Sequence, residues 1–248
     1  GYADPEVNRA VKSAIDRGSS TTLNCYEEVE LAELLCELHP WAHMVRFART
    51  GGEAMAIAVR IARAHTGKDK VAVCGYHGWH DWYLAANLGD KKQLDGHLLP
   101  GLDPAGVPRV LKGTALPFSY NHIEELERIV SKHKDIGVIV VEPLRHQEPL
   151  NDFLQKVATI AKKAGAVLIF DEISIGWRLT VGGAHLMYGV HPDIAVFAKA
   201  MGNGFPSAAV IGTKSVMDSA QKTFISSTYW TDRVGSVAAL ATIKRMKK

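Results

Sequence analysis

The sequence has few cysteines and no long apolar run. Its three cysteines, Cys25, Cys36 and Cys74, form no CxxC pair and no zinc-type spacing, which argues against a disulfide framework and favours a reducing compartment. No apolar stretch approaches the roughly 20 residues needed to span a bilayer, and the N-terminal segment contains no signal-peptide core. We therefore expect a cytoplasmic protein that crosses no membrane.

The chain also lacks an excess of charge of either sign. It carries 29 lysines and arginines against 26 acidic residues among 248, a formal net charge of +3. This balance argues against a nucleic-acid or membrane-surface protein and leaves small molecules and copies of the same chain as partners. The length suits one large α/β domain. Because the sequence lacks an initiator methionine and stops within a predicted helix, we expect a piece of a longer chain.

Strand-like and helix-like segments alternate along the chain, which is typical of an α/β layer architecture. The predicted strands are continuous β-branched runs, as in a mainly parallel sheet with helices on both faces. They are MVRFA, KVAVC, GVIVVEP, AVLIFDE, DIAVFAK and SAAVIG. Predicted helices lie at residues 27–40, 53–65, 123–133 and 151–165, and others begin near Lys214 and Asp232.

Ionisable residues stand at the ends of three of these strands: Glu142, then Asp171 with Glu172, then Lys199. If the strands are parallel, these groups share the carboxyl edge of the sheet, where open α/β sheets bind ligands. A single strand-end lysine usually extends to water, and a single carboxylate often caps a helix. Their convergence on one edge instead predicts a functional site.

Lys199 stands in FAKAMGNGFP, where a short apolar strand meets a glycine-rich turn. We expect this lysine to be partly desolvated at the strand end. Because desolvation disfavours the charged form of an amine, a neutral and nucleophilic amine becomes available there for Schiff-base chemistry.

The segment RTGGEAM connects the strand MVRFA to the next predicted helix. Thr50 and Glu53 have the spacing of a capping box, which satisfies free amides at a helix start. Gly51 and Gly52 let backbone amides approach a ligand closely, and the positive end of the helix favours a phosphate. The segment is neither a Walker loop nor a GxGxxG dinucleotide fingerprint.

The loop CGYHGWHDWY follows the strand KVAVC. It interleaves four aromatic rings with two histidines: Tyr76, His77, Trp79, His80, Trp82 and Tyr83. The histidines lack an HExxH context, which disfavours a metal site. Loop aromatics usually cover the edge of a core, but a ring at a strand mouth can stack on a planar ligand. A flat, phosphorylated ligand that reacts with an amine and faces a carboxylate fits these features, and pyridoxal 5'-phosphate (PLP) is such a ligand.

Five segments together carry a family resemblance: GYADPEVNRAV, MVRFARTGGEAMAIAVRIARAHTG, GYHGWHD, IFDEISIGWRL and FAKAMGNGFP. They resemble class-III PLP-dependent aminotransferases, most closely the glutamate-1-semialdehyde aminomutase-like branch. The resemblance implies a fold-type-I PLP transferase large domain over residues 1–248. It also implies that the family's N-terminal segment and C-terminal small domain lie outside this sequence.

The resemblance further implies a role for each matching residue. Lys199 forms the Schiff base with PLP and then transfers protons, while Asp171 pairs with the ring nitrogen. Tyr76 and Ile173 lie on the two faces of the ring. The other implied cofactor contacts are Thr50, Gly51 and Gly52 at the phosphate, His77 in the YHG loop, Glu142 in the EP element, and Thr228 from the partner subunit of a homodimer.

The sequence departs from the family at TGGEA, where the family has SGTEA. Gly52 therefore lacks a hydroxyl that helps to bind the phosphate, and we expect the backbone amides to contribute more and cofactor affinity to be lower. Arg178 in IFDEISIGWRL fits a structural salt bridge as well as a substrate contact.

Amino-group transfer between an amine or amino-acid donor and a carbonyl acceptor is the leading functional hypothesis. The segments at 96–120 and 227–243 favour homologues that aminate oxo-sugars or other surface-polymer precursors. Glutamate-1-semialdehyde 2,1-aminomutase is the first alternative. A non-catalytic PLP- or phosphate-binding domain is another, and a nucleotide-phosphate site at TGGE with a structural Lys199 is a third.

Overall fold

The computed structural model describes residues 3–20, 22–97 and 99–248. Within them, seven strands form one sheet with the order β1-β7-β6-β5-β4-β2-β3. The strands are β1 Met44–Ala48, β2 Lys70–Cys74, β3 Ala115–Pro117, β4 Ile136–Val141, β5 Val167–Asp171, β6 Ile194–Phe197 and β7 Ala208–Gly212. β7 pairs antiparallel with both β1 and β6, and all other pairs are parallel. The mainly parallel sheet predicted from the sequence is confirmed.

The described part of the chain also contains eight α-helices. They are α1 Pro5–Asp16, α2 Tyr26–Leu38, α3 Gly51–Thr66, α4 Asp81–Leu84, α5 Ile123–Lys132, α6 Phe153–Ala164, α7 Lys214–Met217 and α8 Arg233–Met246. The predicted bounds of α2, α3, α5 and α6 agree within two residues. The helix expected near Lys214 is one turn long and continues as a 3-10 turn, Asp218–Lys222.

Helices cover both faces of the sheet. In β2, Val71 and Val73 pack in the cluster that contains α3, whereas Ala72 and Cys74 pack in the cluster that contains α5 and α6. A third cluster joins α2 and α8 to the β6–β7 part of the sheet, around Phe197. Because both faces are buried, the central strands are apolar except at their ends, where Lys70 begins β2 and Asp171 ends β5. This burial explains the continuous hydrophobic runs in the sequence.

The carboxyl edge of the sheet collects the loops that follow the parallel strands. The segments after β1, β2, β4, β5 and β6 are residues 49–52, 75–77, 142, 172–173 and 198–199. The antiparallel β7 begins at the same edge, after residues 205–207. Among the described residues, no helix has both the length and the apolar composition needed to cross a bilayer.

Candidate active site at the carboxyl edge

A cavity of about 440 Å³ opens at the carboxyl edge of the sheet. Its walls come from the segments that follow β1, β2, β5 and β6 and from the segment that precedes β7. Eight residues singled out in the sequence line it: Thr50, Gly51, Gly52, Tyr76, His77, Asp171, Ile173 and Lys199. The structure therefore brings an amine, a carboxylate, a glycine turn and an aromatic ring to one cavity.

Lys199 lies in a turn after β6 rather than on the strand. β6 ends at Phe197, and Lys199 begins a 3-10 turn that runs to Gly202. Its φ of +43° falls in the left-handed region that non-glycine residues seldom adopt. Nζ donates to Ser174 Oγ at 2.9 Å, and the side chain is exposed. The partly desolvated position expected from the sequence is wrong, because the turn carries the amine beyond the buried strand end.

Asp171 is the buried carboxylate of the cavity, with 2% of its surface exposed. Its Oδ2 accepts a hydrogen bond from His77 Nδ1 at 2.8 Å, and its Oδ1 accepts from the backbone N–H of Ile173 at 3.0 Å. The opposite ring nitrogen, His77 Nε2, is buried and has no partner among the described residues. Two accepted bonds leave lone pairs of Asp171 available to a further donor.

Glu172, which shares the end of β5, points away from this cavity. Its Oε1 accepts from the backbone N–H and from Nδ1 of His185, the latter at 2.8 Å, and its Oε2 accepts from Ala184 N–H at 2.9 Å. Glu172 and His185 are fully buried. Successive strand residues face opposite sides of the sheet, so the two neighbouring carboxylates serve different surroundings.

Glu142 lies behind the part of the cavity wall that Tyr76 forms. Its Oε2 accepts from Tyr76 N–H at 2.9 Å and from Arg145 Nη1 at 2.7 Å, and it lines a neighbouring cavity of about 420 Å³. Burial, and to a smaller extent the charge of Asp171, raises the pKa of Glu142. A Cβ on Gly75 would lie 2.6 Å from Glu142 Oε2. This close packing directs the carboxylate to the Tyr76 backbone, and Glu142 does not line the cavity that holds Lys199. Its predicted cofactor contact stays a prediction.

The aromatic rings of the CGYHGWHDWY loop divide into two groups. Tyr76 and Trp79 line the cavity. Trp82 and Tyr83 belong to the core, and Tyr83 Oη donates to Gly75 O at 2.8 Å. The carbon Cζ of Arg145 lies 5.9 Å from the centre of the Tyr76 ring. Glu142 thus contacts the backbone of Tyr76, and Arg145 contacts its ring.

Residues 50–52, here called the glycine turn, lead into α3. Thr50 Oγ1 accepts from Glu53 N–H at 3.3 Å and caps the helix. Glu53 Oε2 accepts from Arg49 N–H at 2.9 Å, so the predicted capping box closes one residue earlier than the motif prescribes. The cavity therefore meets the N-terminus of a 16-residue helix, which attracts anions.

Side chains would not fit on the glycine turn without movement. A Cβ on Gly51 would lie 3.0 Å from Ile173 Cδ1, and a Cβ on Gly52 would lie 2.6 Å from His80 Cε1. The two glycines therefore keep the first amides of α3 open to the cavity and let His80 pack directly against the helix backbone.

Arg49 connects the glycine turn to the segment before α8. Its Nη2 donates to the carbonyl oxygens of Tyr229 at 2.5 Å, Trp230 at 3.3 Å and Asp232 at 3.0 Å. Thr228, beside this segment, is exposed and does not line the cavity. Its contact across a dimer interface is not tested by a single chain and stays a prediction.

Sequence reasoning missed several residues of the site. Ser174, three residues after Asp171, bonds to Lys199, and its position in DEIS was a readable signal. Ser207 lines the cavity with a buried Oγ that has no partner among the described residues, and nothing in the sequence marks it. Arg178 Nε donates to the backbone oxygen of Ser174 at 2.7 Å. The described residues contain no group of three or more metal-ligating side chains.

Comparison with known proteins places this geometry in a family. The model of the aminotransferase class-III family matches residues 1–248. The 3-aminobutyryl-CoA aminotransferase of Cloacimonas acidaminovorans is 35% identical over 257 residues, covering 100% of this chain and 58% of that protein. The glutamate-1-semialdehyde 2,1-aminomutase of Methanothermobacter thermautotrophicus is 37% identical over 225 residues, covering 88% and 52%. A solved transaminase with PLP bound has a TM-score of 0.87 at 27% identity, covering 98% of this chain and 59% of that one.

The fold is thus that of a fold-type-I PLP transferase, as predicted. The chain belongs to the class-III aminotransferases. Aminotransferases of this class depend on PLP, which agrees with the cofactor inferred from the sequence. The chain spans little more than half the length of the two relatives.

Proposed function

We propose that this chain holds PLP and serves amino-group transfer between an amine or amino-acid donor and a carbonyl acceptor. The observation that carries the proposal is the shared cavity of Lys199, Asp171 and the glycine turn. It offers an amine, a buried carboxylate and a helix N-terminus at the carboxyl ends of different strands. The family assignment supports the same chemistry.

The residues present fit PLP. Asp171 keeps lone pairs for a ring N–H although it already accepts two hydrogen bonds. Tyr76 and Ile173 give the cavity apolar surface for a flat ring. The glycine turn presents backbone amides where a phosphate is stabilised, and the volume of about 440 Å³ suits a cofactor of this size.

In this proposal, each residue has a defined task. When bound, PLP supplies a carbonyl carbon that combines with amines and a ring that accepts electrons. Lys199 Nζ is the attachment point and then the base that takes a proton from the substrate and returns it, while Ser174 Oγ orients this amine. Asp171 holds the ring N–H, and His77 fixes the orientation of Asp171.

A homodimer and a cytoplasmic location complete the proposal. The implied role of Thr228 requires a partner subunit, and the exposure of Thr228 is compatible with one. Cys25, Cys36 and Cys74 are free thiols, which suits a reducing compartment.

The substrate is the finer part of the proposal. An oxo-sugar or another surface-polymer precursor is the preferred acceptor from the sequence, and the aminomutase remains the second candidate because a relative of that name is 37% identical. The protein should be incubated with PLP and either glutamate 1-semialdehyde or keto-sugar nucleotides plus glutamate. Formation of an aminated sugar supports the oxo-sugar acceptor. Rapid formation of aminolevulinate contradicts it and supports the aminomutase.

A half-reaction distinguishes an active transferase from the other alternative, a non-catalytic binding domain. An amine donor added to the PLP-loaded protein should change the visible absorption of the cofactor and release the matching carbonyl product. A protein that binds PLP but releases no carbonyl product with any donor would contradict the transferase proposal.

A further inference from the structure

Arg145 lies behind the aromatic wall of the cavity that holds Lys199. Its Cζ lies over the Tyr76 ring, 5.9 Å from the ring centre. At this distance a cation is attracted to the face of an aromatic ring. Tyr76 lines the cavity, whereas Arg145 does not line it and lines the neighbouring cavity of about 420 Å³. The Tyr76 ring therefore stands between the guanidinium and the space proposed for PLP.

A single carboxylate oxygen fixes this arrangement. Glu142 Oε2 accepts from Arg145 Nη1 at 2.7 Å and from the backbone N–H of Tyr76 at 2.9 Å. The side chains of Glu142 and Arg145 are 4% and 20% exposed, so the ion pair is largely removed from water. Charge-assisted hydrogen bonds of this kind are shorter and stronger than neutral ones. Because one oxygen holds both the guanidinium and the Tyr76 backbone, Arg145 has little freedom to leave the Tyr76 ring.

The Tyr76 ring also contacts the core. Tyr83 forms a T-shaped contact with it, with ring centres 6.1 Å apart and planes inclined by 88°. Tyr83 is fully buried, and its Oη donates to Gly75 O at 2.8 Å. Tyr83 therefore supports the Tyr76 ring from within the core. The guanidinium is the contact that a substitution can remove without disturbing the core.

We propose that Arg145 is a positioning residue, whose guanidinium is anchored on Glu142 and holds the Tyr76 ring in place as the wall against which the ring of PLP packs. The inference rests on the proposed binding of PLP. Arg145 does not touch the cofactor in this proposal, and it acts through Tyr76. Loss of its charge should loosen the Tyr76 ring and weaken whatever packs against that ring.

The test compares Arg145→Gln with Arg145→Lys. Gln keeps an N–H donor for Glu142 but loses the charge, whereas Lys keeps the charge. Equilibrium dialysis measures the affinity for PLP and for pyridoxal, which lacks the phosphate. We expect Arg145→Gln to weaken both compounds by a similar factor of about threefold to tenfold, the value of one partly buried cation–π contact. Arg145→Lys should retain most of the affinity for both.

A second comparison asks whether the Tyr76 ring transmits the effect. Tyr76→Leu keeps the backbone N–H that Glu142 accepts but presents no ring to the cation. In this background, Arg145→Gln should change PLP affinity by less than about twofold, because residues that act through one contact are not additive. The visible circular dichroism of bound PLP should change in Arg145→Gln alone and be recovered in Arg145→Lys.

Arg63→Gln is the matched control. Arg63 Nε donates to Asp69 O at 2.9 Å beside the start of β2, at the edge of the sheet opposite the cavity. This variant also loses an arginine with a hydrogen bond, and both affinities should stay unchanged. Thermal unfolding of each variant without PLP checks that the fold is retained.

Several results would overturn the inference. Unchanged affinities in Arg145→Gln would do so, and an equal loss in Arg145→Lys would show that the charge is not the cause. A full effect of Arg145→Gln in the Tyr76→Leu background would mean that Arg145 acts through Glu142 and not through the ring. A loss confined to PLP would assign Arg145 to the phosphate. If the unaltered protein binds neither compound, the proposed function itself fails.

Discussion

The two ends of the cavity are constructed by different means. At the end of Asp171, here called the ring end, a buried carboxylate is held by the His77 side chain and by a backbone amide. At the glycine turn, Gly51 and Gly52 have no side chains, so the backbone of the turn lies directly beside the cavity and His80. The properties of the ring end therefore depend on the hydrogen-bonding groups of its side chains. Those of the glycine turn depend on how closely a ligand can approach the backbone. Substitutions at the ring end should change the reaction, and substitutions at the glycine turn should change cofactor affinity.

The largest expected effect follows from Asp171→Asn. The amide has nearly the same shape but no charge to hold a ring proton, so kcat should fall by about 10²- to 10³-fold, as when one electrostatic stabiliser is removed. PLP affinity should change much less than kcat. Steady-state rates at saturating PLP, together with a PLP titration, measure both, and an unchanged kcat would mean that another residue faces the ring nitrogen.

The next effect concerns His77, whose Nδ1 donates a hydrogen bond to Asp171 Oδ2. His77→Leu removes the donor to Oδ2, and kcat should fall by about 10- to 100-fold, the value of a hydrogen bond to a charged group. His77→Asn keeps an N–H near the position of Nδ1 and should restore most of the rate. A structural role alone predicts equal loss in both variants and no change in the absorption spectrum of bound PLP.

At the glycine turn, Gly51→Ala should act on binding. Its Cβ would meet the end of the flexible Ile173 side chain at 3.0 Å, so a small shift relieves the contact. We expect PLP affinity to fall by about threefold to tenfold, in line with mild overpacking, with kcat unchanged once PLP is saturating. A fall in kcat without a change in affinity would contradict the division between the two ends.

The last effect concerns the stability of the fold at low pH rather than the reaction or cofactor binding. Burial lowers the pKa of His97 to about 4, and His97 Nδ1 accepts from Gly75 N–H at 3.0 Å beside the ring end. Burial likewise lowers the pKa of His39 to about 4, and its ring packs against Phe197 and Trp177. Below pH 6.5 the unfolded chain gains these protons while the folded chain does not, so each histidine lowers the unfolding free energy by up to about 1.4 kcal/mol per pH unit down to pH 4.

The measurement is denaturant unfolding between pH 7 and pH 4.5. His97→Asn can still accept the Gly75 N–H and should reduce the acid dependence, while the substitution His39→Phe should do so independently. An acid slope that is unaffected by both substitutions would show that other groups control it.

The parts of the site that follow from strand order were predictable. The apolar runs predicted the positions of the strands. Parallel strands bring Asp171 and Lys199 to one edge of the sheet whatever path the loops take. The path of the loops was not predictable, because it depends on packing between distant segments. Glu142 turns to the Tyr76 backbone only because Gly75 allows close approach.

The same limit applies at the glycine turn. The close packing of Gly52 against His80 could not be predicted, because the two residues lie 28 positions apart and no spacing rule links them. Likewise, Arg49 reaches carbonyl oxygens some 180 residues later in the chain. Residue type identified the candidate site residues. Which of these residues contact one another depends on the folded structure and could not be predicted from the sequence.

The identity of the lysine that carries PLP tests the assignment of this cavity most directly. The protein is loaded with PLP, reduced with borohydride, digested and mapped by mass spectrometry. We expect a phosphopyridoxyl group on Lys199 as the main product, with Lys70 unmodified because it lies at the opposite edge of the sheet and pairs with Asp135. Modification spread over surface lysines, or absent from Lys199, would contradict the assignment of this cavity as the PLP site.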